Sequence, residues 1–233
     1  VTGGRMNSNN WLVGGNAWGT TSQSNNNVIN LGDEAGNFNA DLEGLSIWGS
    51  SYRVPTQQGG TQYDSFVYDG GDEKIAGNTL NVNASGIVAK KAINFEKYNF
   101  NLTKGVTAGA TMLRMTETQV FSGAADVQWK NITLNAEGWN EDTTKYGRLG
   151  TTTLMSTNGA DMKILTERAP NRTATSGDFE YRMYTDANSA FYGSVSANYV
   201  AADIDRFQNA DATANNVTGS NVYGGYSSLG NTT

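Results

Sequence analysis

The sequence predicts an all-β chain and, among all-β architectures, a parallel β-helix, a solenoid in which each coil stacks on the last. Three observations carry this expectation. Apolar and polar residues alternate over short runs, while helical periodicity is scarce. Clusters of Gly, Asn, Asp and Ser separate the runs, and Gly and Asn tolerate the positive φ that turns require. The phrase "aromatic–Gly, then Asn–apolar–x–apolar" stands near 11–31, returns near 47–82 and begins again at 221–233. An antiparallel β-sandwich is the alternative. A sandwich has no reason to repeat, whereas stacked coils allow repetition at a loose period.

The predicted strands follow in order. "NVINL" (27–31), "LSIWG" (45–49), "SFVYD" (65–69) and "TLNVNASGIVA" (79–89) come first. In the last of these Leu80 and Val82 share one face, and Asn81 and Asn83 the other. "AINFEKYNFNL" (92–102), "TMLRMTETQVF" (111–121) and "DVQWKNITLNAEGW" (126–139) continue, the third placing Ile132, Leu134 and Ala136 together. "TTTLM" (151–155) and "MKILTE" (162–167) precede "FEYRMYTD" (179–186), where Phe179, Tyr181 and Met183 oppose Glu180, Arg182 and Tyr184. "AFYGSVSANYVA" (190–201) and "NVYGG" (221–225) close the series. The stretch 209–221 reads as a polar connector between coils, and 1–233 as a single β-helical segment of a longer repetitive surface protein. At roughly 20–25 residues per coil, that segment would hold about ten coils and extend about 50 Å. The Asn run at 25–27 suits a ladder of amides from coil to coil.

Bulk composition narrows the function classes. Hydrophobic residues make up 37% and charged residues 16%, too few charges for a disordered polyelectrolyte and enough apolar material for many short strands. Only two prolines, Pro55 and Pro170, interrupt the supply of backbone donors. Without cysteine there is no disulfide or zinc–thiolate framework, and without histidine no Ser-His-Asp triad. The net charge is −6 and there is no basic run, which argues against nucleic acid as a partner. No apolar run is long enough for a membrane helix, and any export signal would lie outside the segment.

The run "GNTLNVNASGIVAKKAINFEKYNFNL" (77–102), its sequel "GATMLRMTE" (109–117) and "GRLGTTTLMSTNGADMKIL" (147–165) resemble a recurring passage in bacterial autotransporter passenger domains. The phrase "VYGGYS…GNT" (222–232) resembles the repeat flanking that passage. The resemblance implies a right-handed parallel β-helix of adhesin type, carried to the cell surface by a C-terminal barrel in the outer membrane. That barrel is not in this segment, and membrane attachment would pass through it alone.

The matched ends suggest coil interfaces. Trp11, Val13 and Trp18 at the front, and Val222, Tyr223 and Tyr226 at the end, are the candidate assembly residues. Trp48, beside a glycine, is the candidate glycan contact, since a sugar ring stacks on an open indole face. Two carboxylate groups bear on Ca²⁺ or acid–base chemistry: Asp69 and Asp72 with Glu73, and Asp203 and Asp205 beside Arg206. Neither spacing completes a Ca²⁺ loop, so the first reads as an acidic turn, the second as a solvated strand face, and no cofactor is expected. The expected function is a structural and adhesive β-helical rod, not an enzyme, displayed outside a bacterial cell. Its partners would be neighbouring coils or copies of itself, with a surface receptor. A filament subunit stacking end to end is one alternative. A β-helical polysaccharide lyase or hydrolase is the other.

Overall fold

Alternation decides which residues face inward, and the strands pair so that like residues stack in rows. The computed structural model describes residues 1–5, 11–18, 22–58, 61–67, 75–117, 127–139, 147–157, 162–166, 172–177, 179–186, 193–206, 208–209 and 225–226. The chain runs through β1 (Gly3–Arg5), β2 (Trp11–Val13), β3 (Asn16–Trp18), β4 (Val28–Leu31) and β5 (Asn39–Asp41). A second circuit contains β6 (Ser46–Trp48), the hairpin β7 (Ser51–Gln58) and β8 (Thr61–Val67), then β9 (Thr79–Val82) and β10 (Ile87–Ala89). A third contains β11 (Lys91–Ile93), β12 (Lys97–Asn101) and β13 (Thr111–Met115). After these come β14 (Val127–Gln128), a 3-10 turn at Trp129–Asn131, β15 (Ile132–Asn135) and β16 (Gly147–Thr157).

These circuits revisit the same parallel sheets in the same order. One sheet joins β2, β6 and β11; a second joins β4, β9, β12 and β15; a third begins β10, β13, β16. In the second sheet Ile29, Leu80, Tyr98 and Ile132 form one inward row, and Leu31, Val82, Phe100 and Leu134 the next. Ile47 and Ala92 face them from the first sheet, and Ile87, Leu113 and Met155 from the third. Each such side chain removed from water contributes about 1.5–3 kcal/mol, which makes these rows the main favourable term of the stack.

The repeated aromatic–Gly phrase has a steric cause. Val13 pairs with Trp48, Gly14 donates to the Trp48 carbonyl (2.9 Å), and Gly49 donates to the Ile93 carbonyl (3.0 Å). A Cβ on Gly14 would collide with the Gly49 carbonyl, and one on Gly49 with the Asn94 carbonyl. Backbones approach so closely at this corner that a side chain has no room. The phrase near 11–31 therefore lies on the phrase near 47–82, with Val28–Leu31 paired to Thr79–Val82.

Two expectations need correction. Successive partners in the Asn-bearing sheet are separated by 51, 18 and 34 residues, so the circuits are unequal, and among the described residues this sheet has four strands rather than about ten. The hairpin β7–β8, residues 51–67, accounts for much of the longest separation. Parallel addition to the third sheet also stops at β16. Beyond it come β17 (Met162–Thr166), β18 (Arg172–Ser176), β19 (Phe179–Thr185), β20 (Gly193–Ala197) and β21 (Tyr199–Arg206). Of these, β17 still pairs parallel with β14 (Val127 with Ile164). β21 pairs antiparallel with both β16 and β19, β18 pairs antiparallel with β19, and β20 with β17. The long β16 has a parallel neighbour, β13, on one side and an antiparallel one, β21, on the other, and its register with β21 shifts between Arg148 and Gly150 and between Thr153 and Met155. The described residues are thus essentially all-β, mostly parallel through β16 and mostly antiparallel afterwards, with β17 the parallel exception. No α-helix occurs among the described residues, and no helix there is long and apolar enough to cross a membrane. The connector expected at 209–221 lies outside the described residues except for Asn209, which with Gln208 forms β22 and pairs antiparallel with β23 (Gly225–Tyr226).

Candidate functional site

Two surfaces stand out, one at the start of the stack and one along its side. At the start, β2, β3 and β4 are the terminal strands of their sheets. Trp11 on β2 is 46% exposed, Trp18 on β3 61% and Val28 on β4 56%, while Val13 is half-buried. With Val1 these are the large exposed apolar residues among the described ones, and all lie on the first circuit. Two of the front assembly candidates therefore share an exposed end with Val28, which the sequence reading did not single out. Its signal was weak, because "NVINL" places Val28 outward only once the inward partners Ile29 and Leu31 are known.

At the β4 edge Val1 N donates to the Asn30 carbonyl (2.6 Å) and the Val1 carbonyl accepts from Gly32 N (2.9 Å), and at the far end side chains take a similar place. β18 overlaps the outer edge of β15: the Arg172 guanidinium donates to the Ile132 carbonyl, and Ser176 Oγ accepts from Ala136 N (2.9 Å) and donates to Asn135 Oδ1 (3.1 Å). Arg172 also lies over the Trp129 ring, 5.9 Å from its centroid. Side chains thus occupy backbone groups that an added strand would need. Val222 and Tyr223 lie outside the described residues, as do Asp69, Asp72 and Glu73, and of Tyr226 only the backbone in β23 is described.

Trp48, the candidate glycan contact, is only 7% exposed. It occupies the central strand β6, between Val13 and Ile93, with Lys91 Nζ 5.3 Å from the ring centroid. Its indole face is therefore packed rather than presented. Asp203 and Asp205 are buried too, unlike the solvated strand face expected, because β21 lies between β16 and β19 and is covered on both sides. Asp203 accepts from Thr151 Oγ1 (2.6 Å) and Arg182 Nη2 (2.7 Å). The Tyr184 hydroxyl is 3.4 Å away, and its pKa is raised first by burial and then by the Asp203 charge. Asp205 faces the buried Glu180 across the β19–β21 pair. Among the described residues no group of three or more carboxylates is arranged to hold a metal ion.

Along the side, the outward face of the four-stranded sheet carries amides. Asn81 Nδ2 donates to Asn30 Oδ1 (2.7 Å), Asn99 Nδ2 to Asn81 Oδ1 (2.8 Å) and Thr133 Oγ1 to Asn99 Oδ1 (2.7 Å). A second row runs beside it, with Asn101 Nδ2 on Asn83 Oδ1 (2.7 Å) and Asn83 Nδ2 on the Gly32 carbonyl (3.0 Å). The amide ladder expected at 25–27 exists in kind, with Asn27 Nδ2 donating to Asn78 Oδ1 (3.0 Å), but its longest rows lie on the strands. A groove of about 600 Å³ opens beside these rows, bordered by Asn30, Asn81, Asn83, Asn101, Asn135 and Asp33. Hydrogen bonds from the Asn37 side chain and backbone hold Asp33 below the ordinary carboxylate range, so its rim position is anionic.

No protein family, curated protein or solved structure matches this chain.

Proposed function

We propose that the chain is a segment of a right-handed parallel β-helical rod, with a structural and adhesive role in an autotransporter-like bacterial surface protein. One observation carries this reading: the chain returns in fixed order to the same parallel sheets, with apolar rows inside and amide rows outside. Such a stack resists bending because every step repeats the backbone ladder and the side-chain row together. The unequal ends add support. Exposed Trp11 and Trp18 lie on the terminal strands β2 and β3, beside which another parallel strand could be added, while Val1 already bonds to Asn30 and Gly32 at the β4 edge and Arg172 and Ser176 close the edge of β15. The rung covering the start would belong to the same long protein. The filament version has less support, since Gly225 and Tyr226 of the C-terminal phrase already pair antiparallel with Gln208 and Asn209.

Negative-stain micrographs across a concentration series test this. Short rods, with association at high concentration that Trp11→Lys/Trp18→Lys abolishes, are the expected result. Compact round particles would remove the reading. Long fibres that survive the double substitution would place self-assembly elsewhere in the chain.

A further inference from the structure

The outer amide rows differ from the inner ones in how completely they are used. Inside the corner, buried Asn78 donates to Ser50 Oγ (3.0 Å) and the Ile75 carbonyl (2.5 Å), and its Oδ1 accepts from Asn27 N (3.1 Å) and Nδ2 (3.0 Å). That amide spends its whole capacity on the fold. The outer amides do not. Asn30 takes part through Oδ1 alone, Asn101 through Nδ2 alone, and Asn135 through Oδ1, which accepts from Glu137 N (3.0 Å) and Ser176 Oγ. Each amide has two donors and two acceptor positions, so Asn30 Nδ2, Asn101 Oδ1 and Asn135 Nδ2 keep unused capacity within the described chain. All three residues border the same groove.

We propose that this groove binds an uncharged glycan, its hydroxyls bridging the amides of Asn30, Asn81, Asn101 and Asn135. The size fits, since about 600 Å³ lies within the ordinary range for a small-ligand site. The lining chemistry selects the class: paired donors and acceptors on neutral amides match hydroxyl groups, each both donor and acceptor. Asp33 and Glu34 border the groove and no lysine or arginine side chain does, while the Val1 ammonium at its wall is engaged by the Asn30 carbonyl (2.6 Å), so anionic sugars are disfavoured. The rows are also preorganised. Asn30, Asn81 and Asn101 are each bonded to a neighbouring amide and Asn135 to Glu137 N and Ser176 Oγ, so little side-chain freedom is lost when a ligand docks. Rungs about 4.8 Å apart and alternate residues about 6.7 Å apart along a strand form a grid comparable to successive sugar units. This inference supplies the ligand for the adhesive part of the proposed function and rests on that part alone.

The test titrates the chain with neutral linear hexasaccharides (cellohexaose, maltohexaose and chitohexaose) and with an anionic oligogalacturonide, followed by amide NMR shifts. Saturable binding of at least one neutral probe is expected, with shifts at Asn30, Asn101 and Asn135. Asn30→Ala/Asn135→Ala should weaken it about tenfold or more, the loss of one or two hydrogen bonds. Both side chains are exposed, and circular dichroism checks that the variant keeps its strands. No saturable binding to any neutral probe, equal affinity for the oligogalacturonide, or affinity unchanged in the variant would overturn the proposal. Trp11→Lys/Trp18→Lys should leave binding intact, so failure of the groove and failure of the rod reading are separable.

Discussion

Asn78 and Asn81 carry the same side chain in different surroundings, and their substitution separates the two uses of an amide. Asn78 is fully buried, and Asn78→Ala would strand the Asn27 donors and the Ile75 acceptor, costing about 2–4 kcal/mol. Asn81 is half-buried and bonded to Asn30 and Asn99, so Asn81→Ala should cost about 1 kcal/mol, because water replaces what is lost. Urea unfolding midpoints measure both, and equal losses would contradict this account. Glu96 gives a pH dependence at the same corner. Its Oε2 accepts from Asn78 N (2.6 Å), yet partial burial outweighs that bond and raises its pKa above the ordinary 4.5. A raised folded-state pKa means that the fold prefers the protonated acid. The stability it contributes is therefore complete below 4.5 and is lost as pH rises through the raised value. Glu96→Gln keeps an acceptor for Asn78 without the charge. It should raise the urea midpoint near pH ~7 and change it little near pH ~4; a larger gain at the lower pH would reverse the sign.

The strands at the two ends of the stack show what an edge requires. β15 offers an outer edge, and β18 lays Arg172 and Ser176 across it rather than adding another parallel strand. Arg172 pays for that position with partial desolvation, which lowers its pKa, offset by the carbonyls and the Trp129 face it meets. Arg172→Ala should lower stability by about 1–3 kcal/mol and, by uncovering the β15 edge, increase association in sedimentation velocity runs. Ser176→Ala should do less, because it leaves a single backbone donor, Ala136 N, to find water. A variant of Arg172 that is less stable but no more prone to associate would mean that the guanidinium braces the turn at Trp129 without guarding the edge.

Across the whole molecule, a parallel stack meets an antiparallel sheet at β16, and exposed aromatics gather at the opposite end. If those aromatics await another rung, Trp11→Lys/Trp18→Lys should remove end-to-end contacts while the far-ultraviolet β-signal persists. Loss of that signal would make the two tryptophans part of the fold instead. Much of this was legible beforehand. Alternation in "TLNVN", "KYNFN" and "ITLN" assigns Leu80, Val82, Phe100 and Leu134 inward and the Asn residues outward, because a strand turns successive side chains to opposite faces whatever its partner. The aromatic–Gly phrases likewise marked the corner where Gly14 and Gly49 stack. The sequence by itself thus determined the strand class, the two faces and the repeating corner, all consequences of local backbone geometry. Only the tertiary structure decided which strands lie side by side, since partners separated by 51, 18 and 34 residues follow no fixed period. It also decided the antiparallel turn after β16 and the burial of Trp48, Asp203 and Asp205, because a half-buried strand carries the same alternation whichever way its neighbour runs and whatever later covers it.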